Sequence, residues 1–210
     1  MQTRSHRTRQ ALVRAMAELV ADGPPADAGL VNVCERAGVS RGALYHHFAS
    51  TAMLAAAVYE EAHHRIVVLM DEAFSRETAE ALRTFLVALG ESLRTDPLVR
   101  AGMKLAGDGT FRSPRLRDQM LAMLHERLVL AGRPAAFPGE DLADLAVLLA
   151  AGVESQGRSD PTWWEGRSVD RLWPVLQVLF DPAEAAEGRA AGRTGLSVSA
   201  PGCSGQPSVR

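Results

Sequence analysis

Residues 30–48 read LVNVCERAGVSRGALYHHF, and the second half of this stretch gathers Arg41, Gly42, Ala43, Tyr45, His46 and His47 into about two turns of expected helix. A guanidinium, a phenol and two imidazoles can hydrogen-bond to base edges and phosphates, while Gly42 and Ala43 leave room for close approach. Patterns that would point to catalysis are absent from the sequence: there is no HExxH, CxxC, P-loop or GxSxG. The neighbouring pairs His46-His47 and His63-His64 diverge by roughly 100° on a helix, so neither pair shares one ion easily. Gly202-Cys203-Ser204-Gly205 has the outline of a nucleophile loop but no base beside it. The expected chemistry is recognition, not catalysis, with no metal and no cofactor.

Such a surface needs a scaffold of two short crossing helices. Cys34 is small enough for the crossing point, Gly38 can take the positive φ of a turn, and Val33, Val39 and Leu44 can make a miniature core. Ser40 is placed to cap the second helix, which ends near Phe48. Thr8–Ala21, with Leu12, Val13, Met16, Leu19 and Val20 on one face, predicts a preceding helix stopped by Asp22-Gly23-Pro24-Pro25. Thr51 to about Phe74 keeps a helical period for some six turns, long enough to bridge two parts of a molecule.

Further helical periods follow at Leu82–Leu93, Leu98–Ala106, Leu116–Leu128 and Leu142–Val153, with Pro97, Pro114, Pro134, Pro138 and Pro161 between them. Ser168–Phe180 contains Pro174 and is expected to be kinked or split. After Asp181-Pro182 the Ala-, Gly- and Ser-rich sequence has too few apolar residues to fold. The expected fold class is all-α. Residues 1–50 form a helix-turn-helix domain, 51–182 a helical ligand-binding and dimerisation domain, and 183–210 a disordered tail.

The 210 residues are 47% hydrophobic and carry a formal net charge of -2, which by itself argues against a nucleic-acid binder. The charge is uneven. Residues 1–50 hold six arginines against four acids, a local +2 that leaves -4 elsewhere. Lys104 is the only lysine. Cys34 and Cys203 lie too far apart in sequence to suggest a disulfide framework, and neither a membrane-spanning run nor a signal-peptide pattern is present, so the expected location is the cytoplasm, at the nucleoid.

ERAGVSRGALYHHFAS resembles the signature of TetR-family repressors, and the resemblance covers residues 4 to about 58. It implies that Arg41 and His46 face bases, that Tyr45 and His47 hold phosphates, that Ser40 and Gly42 permit close docking, and that Arg4, Arg7 and Arg9 form an arm against the DNA backbone or minor groove. Thr51 joins this set at the start of the fourth helix. The family usually continues after the phenylalanine with a Ser-Lys-Glu-like sequence, where this chain has Ser50-Thr51-Ala52 and so lacks a phosphate-contacting cation. Gly29 stands where relatives often place a Ser or Thr cap.

RTDPLVRAGMKLA is similar to the corresponding stretch of γ-butyrolactone and furan autoregulator receptors, a TetR branch controlling antibiotic biosynthesis. Those receptors usually carry a ligand-binding tryptophan slightly further on, where this chain reads RLRDQML. The resemblance implies a receptor or pseudo-receptor whose small-molecule effector is a butyrolactone-like signal or an antibiotic-related metabolite. Met70, Phe85, Met103, Met120, Glu154, Gln156 and Trp163 are the expected pocket residues, because polar groups interrupt an apolar helix near the last three. Apolar excess on Asp141–Glu154 and Ser168–Phe180 predicts a four-helix homodimer interface, and a dimer reads a pseudo-palindromic double-stranded DNA operator. The competing readings are a metal- or drug-sensing repressor of an efflux gene and a sequence-tolerant DNA-binding protein.

Overall fold

A computed structural model describes residues 2–23, 28–75, 80–105, 115–131 and 138–180. Every regular element among them is helical: α1 (Gln2–Asp22), α2 (Leu30–Ala37), α3 (Arg41–His47), α4 (Thr51–Phe74), α5 (Ala81–Thr95), α6 (Pro97–Leu105), α7 (Leu116–Ala131), α8 (Gly139–Ser159) and α9 (Gly166–Phe180), with a 310 turn at Pro161–Trp164. The expected tail at 183–210, together with Pro24, Pro25, Phe111, Pro114, Pro134 and Phe137, lies outside the described residues.

The local starts and stops have identifiable causes. Gly38 adopts φ 66°, and the amides there bond to Cys34 O and Glu35 O, ending α2 as the turn glycine should. Ser40 and Ser50 cap α3 and α4, their hydroxyls accepting from Ala43 N and Met53 N at 3.2 Å each. Asp96 Oδ1 accepts from Leu98 N at 2.9 Å, just ahead of Pro97 in the first position of α6. Asp160 does the same for the 310 turn, and its hydrogen bonds from Thr162 hold its carboxyl below the usual range.

Two expectations are sharpened. The first helix begins before Thr8: Arg4 to Arg9, the expected arm, are the first turns of α1, where Thr8 Oγ1 bonds back to Arg4 O at 3.1 Å. The sequence there is polar, so no apolar period betrays the helix. Ser168–Phe180 is not split: α9 runs continuously through Pro174. That proline is exposed, and having no N–H it cannot make the usual hydrogen bond to the carbonyl of Asp170.

Among the described residues the buried side chains fall into two clusters. The smaller joins Leu12, Val13, Met16 and Val20 of α1 to Val33, Cys34, Leu44 and Phe48, to Leu54, Ala55 and Val58 of α4, and to Leu98, Ala101 and Leu105 of α6. The larger runs from Tyr59 to Ala73 of α4 through Phe85, Leu86, Leu89, Met120, Leu124, Ala146, Ala150, Trp164 and Trp173. At ~1.5 Å per residue α4 is about 36 Å long, and its two halves belong to different cores. The small core therefore reaches beyond residue 50 to include both the start of α4 and one face of α6.

Close backbone packing depends on three glycines. At Gly102 a methyl group would overlap Ala62 Cβ of α4 and approach Leu116 Cδ2 to 2.7 Å; at Gly90 it would meet Trp164 O at 2.6 Å; at Gly157 it would run into the Trp164 indole. Gly102→Ala is expected to destabilise the chain, because overpacking costs roughly 1–3 kcal/mol against a helix-propensity gain of about 1 kcal/mol. Urea unfolding measures this, and a higher midpoint at unchanged slope would contradict it.

Candidate nucleic-acid interface

Helix α3 separates its residues cleanly. Leu44 is fully buried and Ala43 and His47 are half-buried, whereas Arg41, Gly42, Tyr45 and His46 are exposed on one face. Tyr45 is 57% exposed, a large aromatic offered to solvent next to a guanidinium and an imidazole. The open space over Gly42 holds only Ser40 Oγ, 3.9 Å from where a Cβ would sit. His46 and His47 meet edge to face with ring centroids 5.4 Å apart, which orients the pair.

The face is fixed from below. Leu44 and Phe48 anchor α3 on α1 and α2, and Glu18 of α1 holds Arg36 of α2 at 3.3 Å while also pairing with Arg14. Arg9 Cζ lies 5.3 Å from the centroid of Phe48, a cation–π contact between α1 and the end of α3. Arg4, Arg7 and Arg41 are exposed and form no ion pair among the described residues, so their charge is available to a polyanion. Thr51 is exposed in the first turn of α4, next to the capping Ser50.

Of the seven expected pocket residues, Met70 lines one of two clefts that the described residues form beside α4, and the other six line neither. Met70, Phe85 and Met120 are wholly inside the large core and Met103 is partly buried against it. Glu154 is 2% exposed, and its carboxylate is taken by Arg117 Nε at 3.1 Å and by Arg158. Gln156 is exposed, because the inward face of α8 is Ala143, Ala146, Ala150, Glu154 and Gly157. Trp163 is half-buried, and the neighbouring Trp164 fills the core instead. Among the described residues, open clefts flank α4 on two sides. One, of about 510 Å3, is lined by residues of α4 and α5 including Leu69, Glu72, Thr84 and Ala88. The other, of about 330 Å3, has Val67, Met70, Met123 and Leu130 below an Asp71–Arg127 pair.

Several contacts had no sequence signal. Tyr59 of α4, whose phenol is pushed above its usual pKa by burial and by Glu60, donates to Gln119 Oε1 of α7 and stacks on His63. Among the described residues no group of His, Cys, Asp or Glu could hold a metal ion, and no helix is long and apolar enough to cross a membrane.

Loss of the α3 cap should be felt locally. Ser40→Ala is expected to cost about 1 kcal/mol, with Ser40→Asn restoring most of it, as measured by thermal unfolding. Equal stabilities for the two variants would contradict the capping role.

Residues 12–58 match the family model described as bacterial regulatory proteins, tetR family. Comparison with curated protein sequences gives no match. Among solved structures, the chain is similar to a γ-butyrolactone receptor (ArpA-like protein), with 25% identity and a TM-score of 0.60 over 73% of this chain and 85% of that one. It is similar to the TetR family protein CprB from S. coelicolor A3(2), with 25% identity and a TM-score of 0.65 over 83% and 88%. It also shares the fold of CprB from Streptomyces coelicolor in complex with its biological operator sequence, with 24% identity and a TM-score of 0.68 over 91% and 98%. The exposed Arg41-Tyr45-His46 face and the match over residues 12–58 identify a tetR-type helix-turn-helix DNA-binding domain, carried on a helical body that shares the fold of TetR-family transcriptional regulators.

Proposed function

We propose that the protein is a homodimeric, ligand-responsive repressor that releases a pseudo-palindromic operator when a small molecule binds its helical body. The observation that carries this reading is the division of α4 between two cores. Its first turns belong with the recognition helix and its later turns with the body, so a rearrangement around Met70 or Ala73 moves the helix on which α3 is mounted.

Arg41 and His46 face bases in this reading, Tyr45 and His47 hold phosphates, Gly42 permits close docking, and Arg4, Arg7 and Thr51 contact the backbone from the flanks. Helical Arg4 and Arg7 present their charge along a rigid rod. Arg9, stacked on Phe48, holds that rod against α3.

A second copy is needed because one α3 reads only a few base pairs. Leu148 of α8 is 68% exposed and Val175 of α9 is 72% exposed, with Leu172 and Val178 beside the latter. An apolar face on two helices that both pack on α5 suits a self-complementary contact. The effector is small and largely apolar: the clefts beside α4 have volumes of about 510 and 330 Å3 and mixed apolar and charged walls. A butyrolactone-like signal or an antibiotic-related metabolite fits that description. The similarity to a γ-butyrolactone receptor adds to it.

Gel-shift titration with DNA flanking the gene is expected to show a preference of about a thousandfold or more over random DNA. Uniform affinity would favour sequence-tolerant binding. Arg41→Ala and His46→Ala should each weaken operator binding by roughly 1–3 kcal/mol without changing thermal stability, since both side chains are exposed. Gly42→Ala, whose Cβ meets only Ser40 Oγ, should raise thermal stability by up to about 1 kcal/mol and still weaken binding. On a sizing column, Leu148→Glu with Val175→Glu should elute as a monomer; an unchanged dimer would locate the interface elsewhere.

A further inference from the structure

Helix α1, which carries the head, and helix α5, which belongs to the body, end at the same place. Their terminal carbonyls point at one face of α6. Lys104 Nζ donates to Val20 O at 3.2 Å and to Ala21 O, the last turn of α1. Arg100 Nη1 donates to Leu93 O at 3.1 Å and Arg94 O at 2.8 Å, the last turn of α5, while its Nη2 reaches Asp22 Oδ1 at 3.2 Å. The Arg100 side chain is only 19% exposed.

Each helix end carries roughly half a negative charge, and Asp22 adds a full one. Bare, the two ends would repel and leave partly buried carbonyls without donors. Residues 100 and 104 are one helical turn apart and so share a face. The adjacent Ala101 and Leu105 enter the small core, and Gly102 on the opposite side seats the α6 backbone against Ala62 of α4. The two cations therefore act from a fixed platform.

We infer that Lys104 and Arg100 are positioning residues, a cationic clamp that joins the C-terminal ends of α1 and α5 and thereby fixes the angle at which the body carries the recognition helix. Apolar packing of α1 against Leu98, Ala101 and Leu105 of α6 fixes their separation. Hydrogen bonds to the last carbonyls of two helices set a register as well as a distance. Lys104 and Arg100 reach their acceptors differently, though either cation can donate to paired carbonyls. The ammonium serves two convergent carbonyls from a short reach, whereas the guanidinium fork spans two helices at once. The inference rests on the regulator reading only for the use made of that angle; its test needs neither DNA nor an effector.

Nitroxides at Glu35→Cys in α2 and Gln156→Cys in α8, in a full-length Cys34→Ala, Cys203→Ser background diluted with unlabelled protein, report the head-to-body distance by double electron–electron resonance. The parent should give a narrow distribution. Lys104→Met and Arg100→Gln should give one roughly doubled in width, with circular dichroism unchanged, and Lys104→Arg should stay narrow. Because Lys104 is the only lysine, acetylation with a succinimidyl ester should broaden the parent distribution and leave that of Lys104→Arg unaltered. Folded Lys104→Met and Arg100→Gln variants with the parent's narrow distribution would overturn the clamp, and so would equal broadening in Lys104→Arg and Lys104→Met. Failure of operator binding in the parent would count against the regulator reading and leave this distance measurement intact.

Discussion

The Gly102–Ala62 contact determines how the two cores of this molecule communicate. A side chain at residue 102 would hold α6 away from α4; without one, α6 lies against the midpoint of the long helix, between Val58 in the small core and Ile66 in the large one. From that seat α6 sends Leu98, Ala101 and Leu105 into the core of the DNA-binding head and Val99 into the body. Close packing at such a point behaves as a discrete arrangement, because interiors at crystal-like density do not deform continuously. A shift of α6 is therefore transmitted to both neighbours.

Polar contacts are distributed to the same end. Arg65 of α4 pairs with Asp96, the residue that caps α6, so the long helix is tied to the start of α6 as well as to its middle. Leu116, which opens α7, packs where Gly102 meets Ala62. Arg117 then reaches the buried Glu154 of α8, while Gln119 takes the phenol of Tyr59 in α4. A carboxylate as buried as Glu154 is tolerable only when paired, and removing one partner of such a pair typically costs ~3–5 kcal/mol. The first turn of α7 thus connects α4, α6 and α8. Exposed pairs such as Arg94 with Glu91 add little by comparison.

Much of this was legible in the sequence where a single residue has few structural alternatives. Gly38 could be read because its neighbours demanded a turn and glycine takes a positive φ cheaply, and Ser40 because a hydroxyl ahead of a short helix has an orphan amide to satisfy. Leu44 and Phe48 followed from the apolar spacing. The N-terminal arginines could not be read as helix, since the signal for helix is an apolar stripe and residues 2–10 have none. The phase of α8 was not legible either: its inward positions advance 143, 146, 150, 154, 157, and Gln156 falls on the exposed side. Trp164 and Trp163 were indistinguishable because a 310 turn, not an α-helix, decides which one enters the core. Pairings across 37 residues, such as Arg117 with Glu154, or across 60, such as Tyr59 with Gln119, leave no local trace at all.

The central claim is that two copies of α3 enter DNA on one face, held at a fixed separation by the body. Hydroxyl-radical footprinting of the DNA that flanks the gene tests it directly. The account predicts two protected patches related by two-fold symmetry, with centres separated by about one helical turn (~34 Å) or a multiple of it on the same side of the duplex. A single patch, or protection spread evenly along the fragment, would contradict it.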